Sequence, residues 1–210
     1  MPGILISKTS QPLFFYELSR TGIVLKPSKS NTQMEFALIE PEVMSNMMTN
    51  RGVSLSEASD SSPVMLIFLR HFGCTFCREA LADISDLRED IERLGVRIIF
   101  VHMTDNETAE PFFHRFGLGG AEHISDPMCQ YYAAFGLVKG SYRQLYGLRS
   151  WIRGFQSIVV EGNGYGAELG DGFQMPGIFV VHKRNVRGGF IHKHSSDRPD
   201  YVALTKSCLP

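Results

Sequence analysis

Apolar and polar positions follow no clear period over the first sixty residues, then fall into order. Val64-Met65-Leu66-Ile67-Phe68-Leu69 is an unbroken apolar run, the pattern of a strand covered on both faces of its sheet. Beyond it Leu81, Ile84, Leu87, Ile91 and Leu94 recur at helical spacing, with Asp83, Asp86, Arg88, Glu89 and Asp90 on the other face. That spacing predicts an amphipathic helix. Gly95 stops it, and Val96-Arg97-Ile98-Ile99-Phe100-Val101 returns as a second buried strand. A strand–helix–strand unit of this length fits a right-handed parallel crossover, so the expected fold class is α/β.

The alternation continues. Thr104–Asn106 can cap a helix through Phe116, which requires Pro111 to lie in its first turns or to break it. In Ser125-Asp126-Pro127, Asp126 is placed as N-cap and Pro127 at the first helical position of a helix that runs through Tyr131–Phe135 to Gly136. Ser141–Trp151 reads as a helix or helical loop, and the glycines at 162, 164, 166, 170 and 172 mark a turning loop. Gly177–Val181 and Gly189–His192 are expected to form a hairpin around Lys183–Arg187, with one more helix in the tail after Ser195. Upstream, Phe14-Phe15-Tyr16 and Phe36–Ile39 are expected as short strands with a turn at Pro27–Thr32. Pro41–Thr49 reads as a short helix, and Ser54–Pro63 as a connector or short helix. Residues 1–60 are thus an N-terminal extension and 61–210 the main domain.

Composition narrows the partners. A chain of 210 residues can bury a full core, and 21 basic against 22 acidic residues give a net charge of -1. Neither a nucleic acid nor an anionic membrane is an expected partner. Met1–Ser7 lacks a basic leader, so no signal peptide is expected. Four cysteines with one close pair suit a reactive site in a reducing compartment, and the expected localisation is cytoplasmic.

That pair, Cys74 and Cys77, sits at the junction of the first buried strand and the long helix. Free N–H groups at a helix start favour a thiolate, and Arg70 and Arg78 add positive charge. Cys77, one turn later, is placed to attack a mixed disulfide or a sulfenic acid on Cys74. The same spacing could supply half of a zinc site, but no second close pair follows, and Cys129 and Cys208 are isolated. Cys129 reads as a core residue more than a resolving thiol, and Cys208 as a mobile terminal one. His71 is a proton donor or acceptor, or a histidine packed at the strand end. His192 and His194 share a face but lack a third convergent ligand. Pro176, just before the strand Gly177–Val181, restricts the entering backbone near the thiols.

The run from Phe68 through Cys74 and Cys77 to Glu79 resembles the signature of the peroxiredoxin-like proteins of the AhpC/TSA type, the branch that includes the selenoprotein-L and peroxiredoxin-like 2 proteins. The likeness continues through Ser125-Asp126-Pro127, Phe135-Gly136-Leu137 and the block from Gly170 to Val180, and on to His194 and Asp197. The resemblance implies a thioredoxin-like fold, a central mixed sheet flanked by helices, with Pro176 as a cis-proline facing Cys74. It implies Cys74 as the attacking thiol, Cys77 as the resolving one, and Arg70 or Arg153 as the arginine that holds thiolate and peroxide oxygens. No bound cofactor or metal is implied. The implied partners are a hydroperoxide or disulfide substrate and an external thiol reductant of thioredoxin or glutathione type. The extension would cover the site, extend the sheet or mediate a homodimer. Typical family members carry Pro-x-x-x-Thr-x-x-Cys, whereas Ile67 and His71 stand at those two positions here. Two readings follow: a hydroperoxide reductase, or a protein disulfide reductase or redox sensor, both working through the same dithiol. A third is a binding module with vestigial cysteines.

Overall fold

The computed structural model describes residues 16–18, 22–25, 39–137, 139–140, 171–194 and 196–209. The Phe36–Ile39 strand (apart from Ile39), the Pro27–Thr32 turn, the Ser141–Trp151 helix and most of the glycine loop lie outside them. Among the described residues seven strands form one mixed sheet: β1 (Tyr16–Leu18), β2 (Gly22–Leu25), β3 (Val64–Phe68), β4 (Arg97–His102), β5 (Glu122–Ser125), β6 (Gly177–His182) and β7 (Asn185–His192), in the order β1-β2-β7-β6-β3-β4-β5. β3, β4 and β5 run parallel, while β6 pairs antiparallel with β3 and continues the sheet through β7. β2 pairs antiparallel with β7, so the N-terminal strands extend the sheet at that edge.

Side chains alternate across β3 and divide the core. Met65 and Ile67 face one layer with Phe100, Ile178 and Phe190, covered by α3 (Thr75–Glu92), α4 (Asn106–Arg115) and α6 (Tyr201–Cys208). Val64, Leu66 and Phe68 face the other, covered by α1 (Pro41–Asn46), α2 (Leu55–Ser61) and α5 (Gln130–Ala134). Burial on both faces is why β3 reads as a continuous apolar run. Cys208 belongs to the first core, packed with α3, not to a mobile tail. Ser54 and Glu57 form a reciprocal capping box at the start of α2. Ile39 is not in a strand.

Three local expectations change. Helix α4 continues through Pro111, which lies on its exposed side, as does Glu107, whose carbonyl the proline leaves without its helical amide partner. Pro127 occupies a turn, closed by Cys129 N–H to Asp126 O at 3.0 Å, and α5 starts only at Gln130, after Cys129 in the left-handed region at φ 54°. Asp126 still caps the helix from a distance. Its carboxylate accepts the N–H groups of Gln130, Tyr131 and Tyr132 at 2.9, 2.8 and 3.2 Å. The hairpin turns at Lys183-Arg184, both at positive φ as a type I′ turn requires, so β7 begins at Asn185 rather than Gly189. β5, which had no clear apolar run, completes the parallel edge.

Candidate active site

β3 ends at Phe68, and the chain turns through His71–Gly73 so that Cys74 becomes the N-cap of α3. The turn closes with Cys74 N–H to His71 O at 3.0 Å, and the Cys74 carbonyl accepts from Cys77 and Arg78 at 3.1 Å each. Both cysteines are free thiols, and each is only 4% exposed.

Their environments drive the two thiols apart. Cys74 falls from an ordinary 9.0 to about 6. The Cys77 S–H hydrogen bond is the first cause, followed by Arg70 and the amides of Cys77 and Phe76, while burial opposes them. Burial pushes Cys77 well up, and the Cys74 sulfur adds to this, with the His71 amide and Arg70 acting the other way. At neutral pH the pair therefore holds a thiolate at Cys74 and a thiol at Cys77.

Arg70 is buried and spans the site. Nη1 donates to Cys74 Sγ at 3.3 Å, while Nε donates to Gly172 O at 2.9 Å and Nη2 donates to the same carbonyl. The Arg70 backbone N–H donates to Cys77 Sγ at 3.2 Å. Gly172 carried no signal of this role in the sequence, because the contact joins positions 102 residues apart. Its segment is pinned by the Lys139–Asp171 ion pair at 2.6 Å and by Gln174 Nε2 to Leu137 O at 2.9 Å.

Other expected residues take different parts. Arg78 donates through Nε to Phe72 O at 3.0 Å, and its charge is felt by the Cys74 sulfur. His71 is buried and held down to about 4, by burial first and then by Arg70 and Arg78, so its ring is neutral and cannot serve as an acid near neutral pH. Pro176 does line the pocket beside both cysteines, but every peptide bond among the described residues is trans, including Met175–Pro176. The expected cis bond is absent, in keeping with the ordinary trans preference of about 0.5–1 kcal/mol. Arg153 lies outside the described residues. Cys129 sits half-buried at the start of α5, its thiol pushed up by burial and then by Asp126.

The pocket that both cysteines line, about 30 Å³ and room for a water molecule, is also bordered by His192, Asp197 and Tyr201. Asp197 accepts the N–H groups of Lys193 and His194 at 2.7 and 2.8 Å. Arg198 ties this tail to α3 through Glu79 at 3.0 Å and through Asp83. His192 is held down to about 4, chiefly by burial, while the carbonyls of Pro176 and Asp197 oppose it. Among the described residues no three of His, Cys, Asp or Glu come together to hold a metal ion.

Several known proteins are similar to this chain. The model of the AhpC/TSA family matches residues 40–187. A prostamide/prostaglandin F synthase of Danio rerio is 26% identical over 168 residues, 78% of this chain and 83% of that protein. The chloroplastic thioredoxin-like protein AAED1 of Arabidopsis thaliana is 23% identical over 173 residues, covering 74% of this chain and 66% of that protein. Among solved structures, peroxiredoxin Q of Xanthomonas campestris superposes with a TM-score of 0.56 at 14% identity, over 82% of this chain and 97% of that one. At that identity the likeness is one of fold.

Proposed function

The chain belongs to the AhpC/TSA family, and on that premise we propose that it is a hydroperoxide reductase working through a Cys74–Cys77 cycle. Family membership supports thiol-dependent oxidoreductase activity; the peroxide is the further step. The observation that carries it is a Cys74 thiol held down to about 6, with Arg70 Nη1 at 3.3 Å, in a site where Cys74 is only 4% exposed. A thiolate so enclosed is open to a small oxidant and closed to a bulky one.

In the first step the Cys74 thiolate attacks the distal oxygen of a hydroperoxide, breaking the O–O bond to give a sulfenic acid, while the alkoxide takes a proton and leaves as alcohol. Cys77 then attacks the Cys74 sulfur; the S–S bond forms, the S–O bond breaks and water leaves. Two equivalents of an external thiol restore the dithiol by exchange. Replacing Cys74 with serine abolishes peroxide-dependent oxidation of a thiol reductant in this account, and retained turnover in that variant would sink it.

A second reading, disulfide reductase or redox sensor, draws on two features. His71 stands where a threonine hydroxyl orients the peroxide in typical members. Cys77 Sγ is already hydrogen-bonded to Cys74, so the two sulfurs need no large rearrangement to join. Reduction of an oxidised protein faster than of hydrogen peroxide, by the same reduced protein, selects this reading.

A further inference from the structure

We propose that Tyr132 positions the resolving sulfur by fixing the peptide group between Leu69 and Arg70, so that the Arg70 N–H points at Cys77 Sγ; this rests on the Cys74–Cys77 cycle proposed above. The carbonyl and N–H of one trans peptide share a plane and point in opposite directions, so holding the oxygen aims the amide. The β3–β4 ladder still includes Leu69 N–H to Val101 O at 2.9 Å. One peptide further on, the Leu69 carbonyl accepts the Tyr132 hydroxyl at 2.5 Å, and that hydroxyl also lies 3.0 Å from Val101 O. From the other end of the same peptide the Arg70 N–H reaches Cys77 Sγ at 3.2 Å.

Tyr132 is itself held firmly. Its side chain is fully buried, its N–H is taken by the Asp126 carboxylate at 3.2 Å, and its ring meets Phe68 edge-on at 4.9 Å between centroids. The arrangement matters at one moment of the cycle. As Cys77 attacks the Cys74 sulfenic acid, the Cys77 S–H bond breaks while the S–S bond forms, and the proton joins the departing hydroxide as water. Negative charge grows on the Cys77 sulfur during that step, in a site where burial disfavours it. An amide already aimed at the sulfur supports the charge without reorganisation. Cys74 takes its hydrogen bonds from the Cys77 S–H first, then from the Arg70 side chain and the helix amides, so this peptide donates nothing to it directly and acts on it only through Cys77.

The test compares wild-type protein with Tyr132→Phe, which keeps the ring and removes the hydroxyl. Hydrogen peroxide is added to reduced protein under single-turnover conditions, and sulfenic acid and disulfide are followed by rapid quench and mass spectrometry. The expected result is sulfenic acid formation within about twofold of wild type and disulfide formation slowed about tenfold, the scale of one lost hydrogen bond. A sulfenic acid that resolves equally fast in both proteins, or a variant in which both steps slow by one common factor, would overturn the positioning role alone. No sulfenic acid or disulfide in the wild type would overturn the cycle and this role with it. A second readout needs no variant: hydrogen exchange of the Arg70 amide in the reduced wild-type protein. Strong protection supports the aimed N–H, and exchange at the rate of an exposed amide overturns it.

Discussion

Replacing Cys77 with alanine removes the largest single stabiliser of the Cys74 thiolate. The Cys74 thiol lies at about 6 because of the Cys77 S–H hydrogen bond first, with Arg70 and two helix amides adding to it and burial opposing. A hydrogen bond to an ionised partner contributes about 1.5–3 kcal/mol, and one pKa unit corresponds to about 1.36 kcal/mol. Loss of the donor therefore raises Cys74 by about one to two units. At pH 7 the ionised fraction falls from about nine-tenths to between about a half and a tenth, and alkylation slows about two- to tenfold. The assay is the rate of iodoacetamide alkylation of Cys74, resolved by mass spectrometry, across pH 4.5 to 9.5, from about one and a half units below the wild-type midpoint to about three and a half above it. Cys77→Ser keeps an O–H donor and is expected to titrate close to wild type. An alanine variant that still titrates near 6, or a serine variant displaced as far as the alanine one, refutes the reasoning and transfers the shift to Arg70 and the amides.

Three other outcomes follow from the same structure. His102 and His71 are buried and neutral, held down to about 3 and about 4 from 6.5, in both cases chiefly by burial. The unfolded chain binds their protons first, so the stability they confer is whole above pH 6.5 and is lost as the pH falls toward those values, by about 1.4 kcal/mol per unit for each ring. Urea unfolding that gives the same free energy at pH 7 and pH 5, about two units apart, contradicts this. Asp126→Ala leaves three amides at the start of α5 without their acceptor and is expected to cost about 1–2 kcal/mol, seen as a lower Tm; an unchanged melt counts against the capping role. Gly189→Ala would set a Cβ 2.5 Å from the Ile178 carbonyl oxygen and force β6 and β7 apart, at about 1–3 kcal/mol; a variant as stable as wild type in denaturant titration would show that the strands give way freely.

The parts legible in the sequence are those whose physics is local. The run Val64–Leu69, the spacing of Leu81, Ile84 and Ile91, and the cysteine pair between them place β3, α3 and the dithiol where they stand. The capping function of Asp126 is also local and survives, but a turn of three residues intervenes before the helix, which the Asp-Pro pair does not announce. Pro111 follows a different logic: a proline on the solvent side of a helix loses one hydrogen bond but blocks no packing, so it need not end the helix.

What could not be read depends on contacts between distant segments. Gly172 matters through a carbonyl that meets Arg70, and a backbone oxygen leaves no mark on residue type. Tyr132 looks like one more aromatic residue on a short helix until α5 folds over the ends of β3 and β4. Cys208 reads as a chain-end thiol because the packing of α6 on α3 is a tertiary event. Pro176 lines the pocket beside the dithiol, and its peptide bond is trans rather than the implied cis.

The most direct measurement treats the reduced protein with one equivalent of hydrogen peroxide, quenches the reaction with an alkylating agent and maps all four cysteines by mass spectrometry. The account predicts rapid loss of Cys74 and Cys77 together, with a Cys74–Cys77 disulfide as the product and Cys129 and Cys208 still reduced. Oxidation confined to Cys129 or Cys208, or a Cys74–Cys77 pair that survives the peroxide intact, contradicts it.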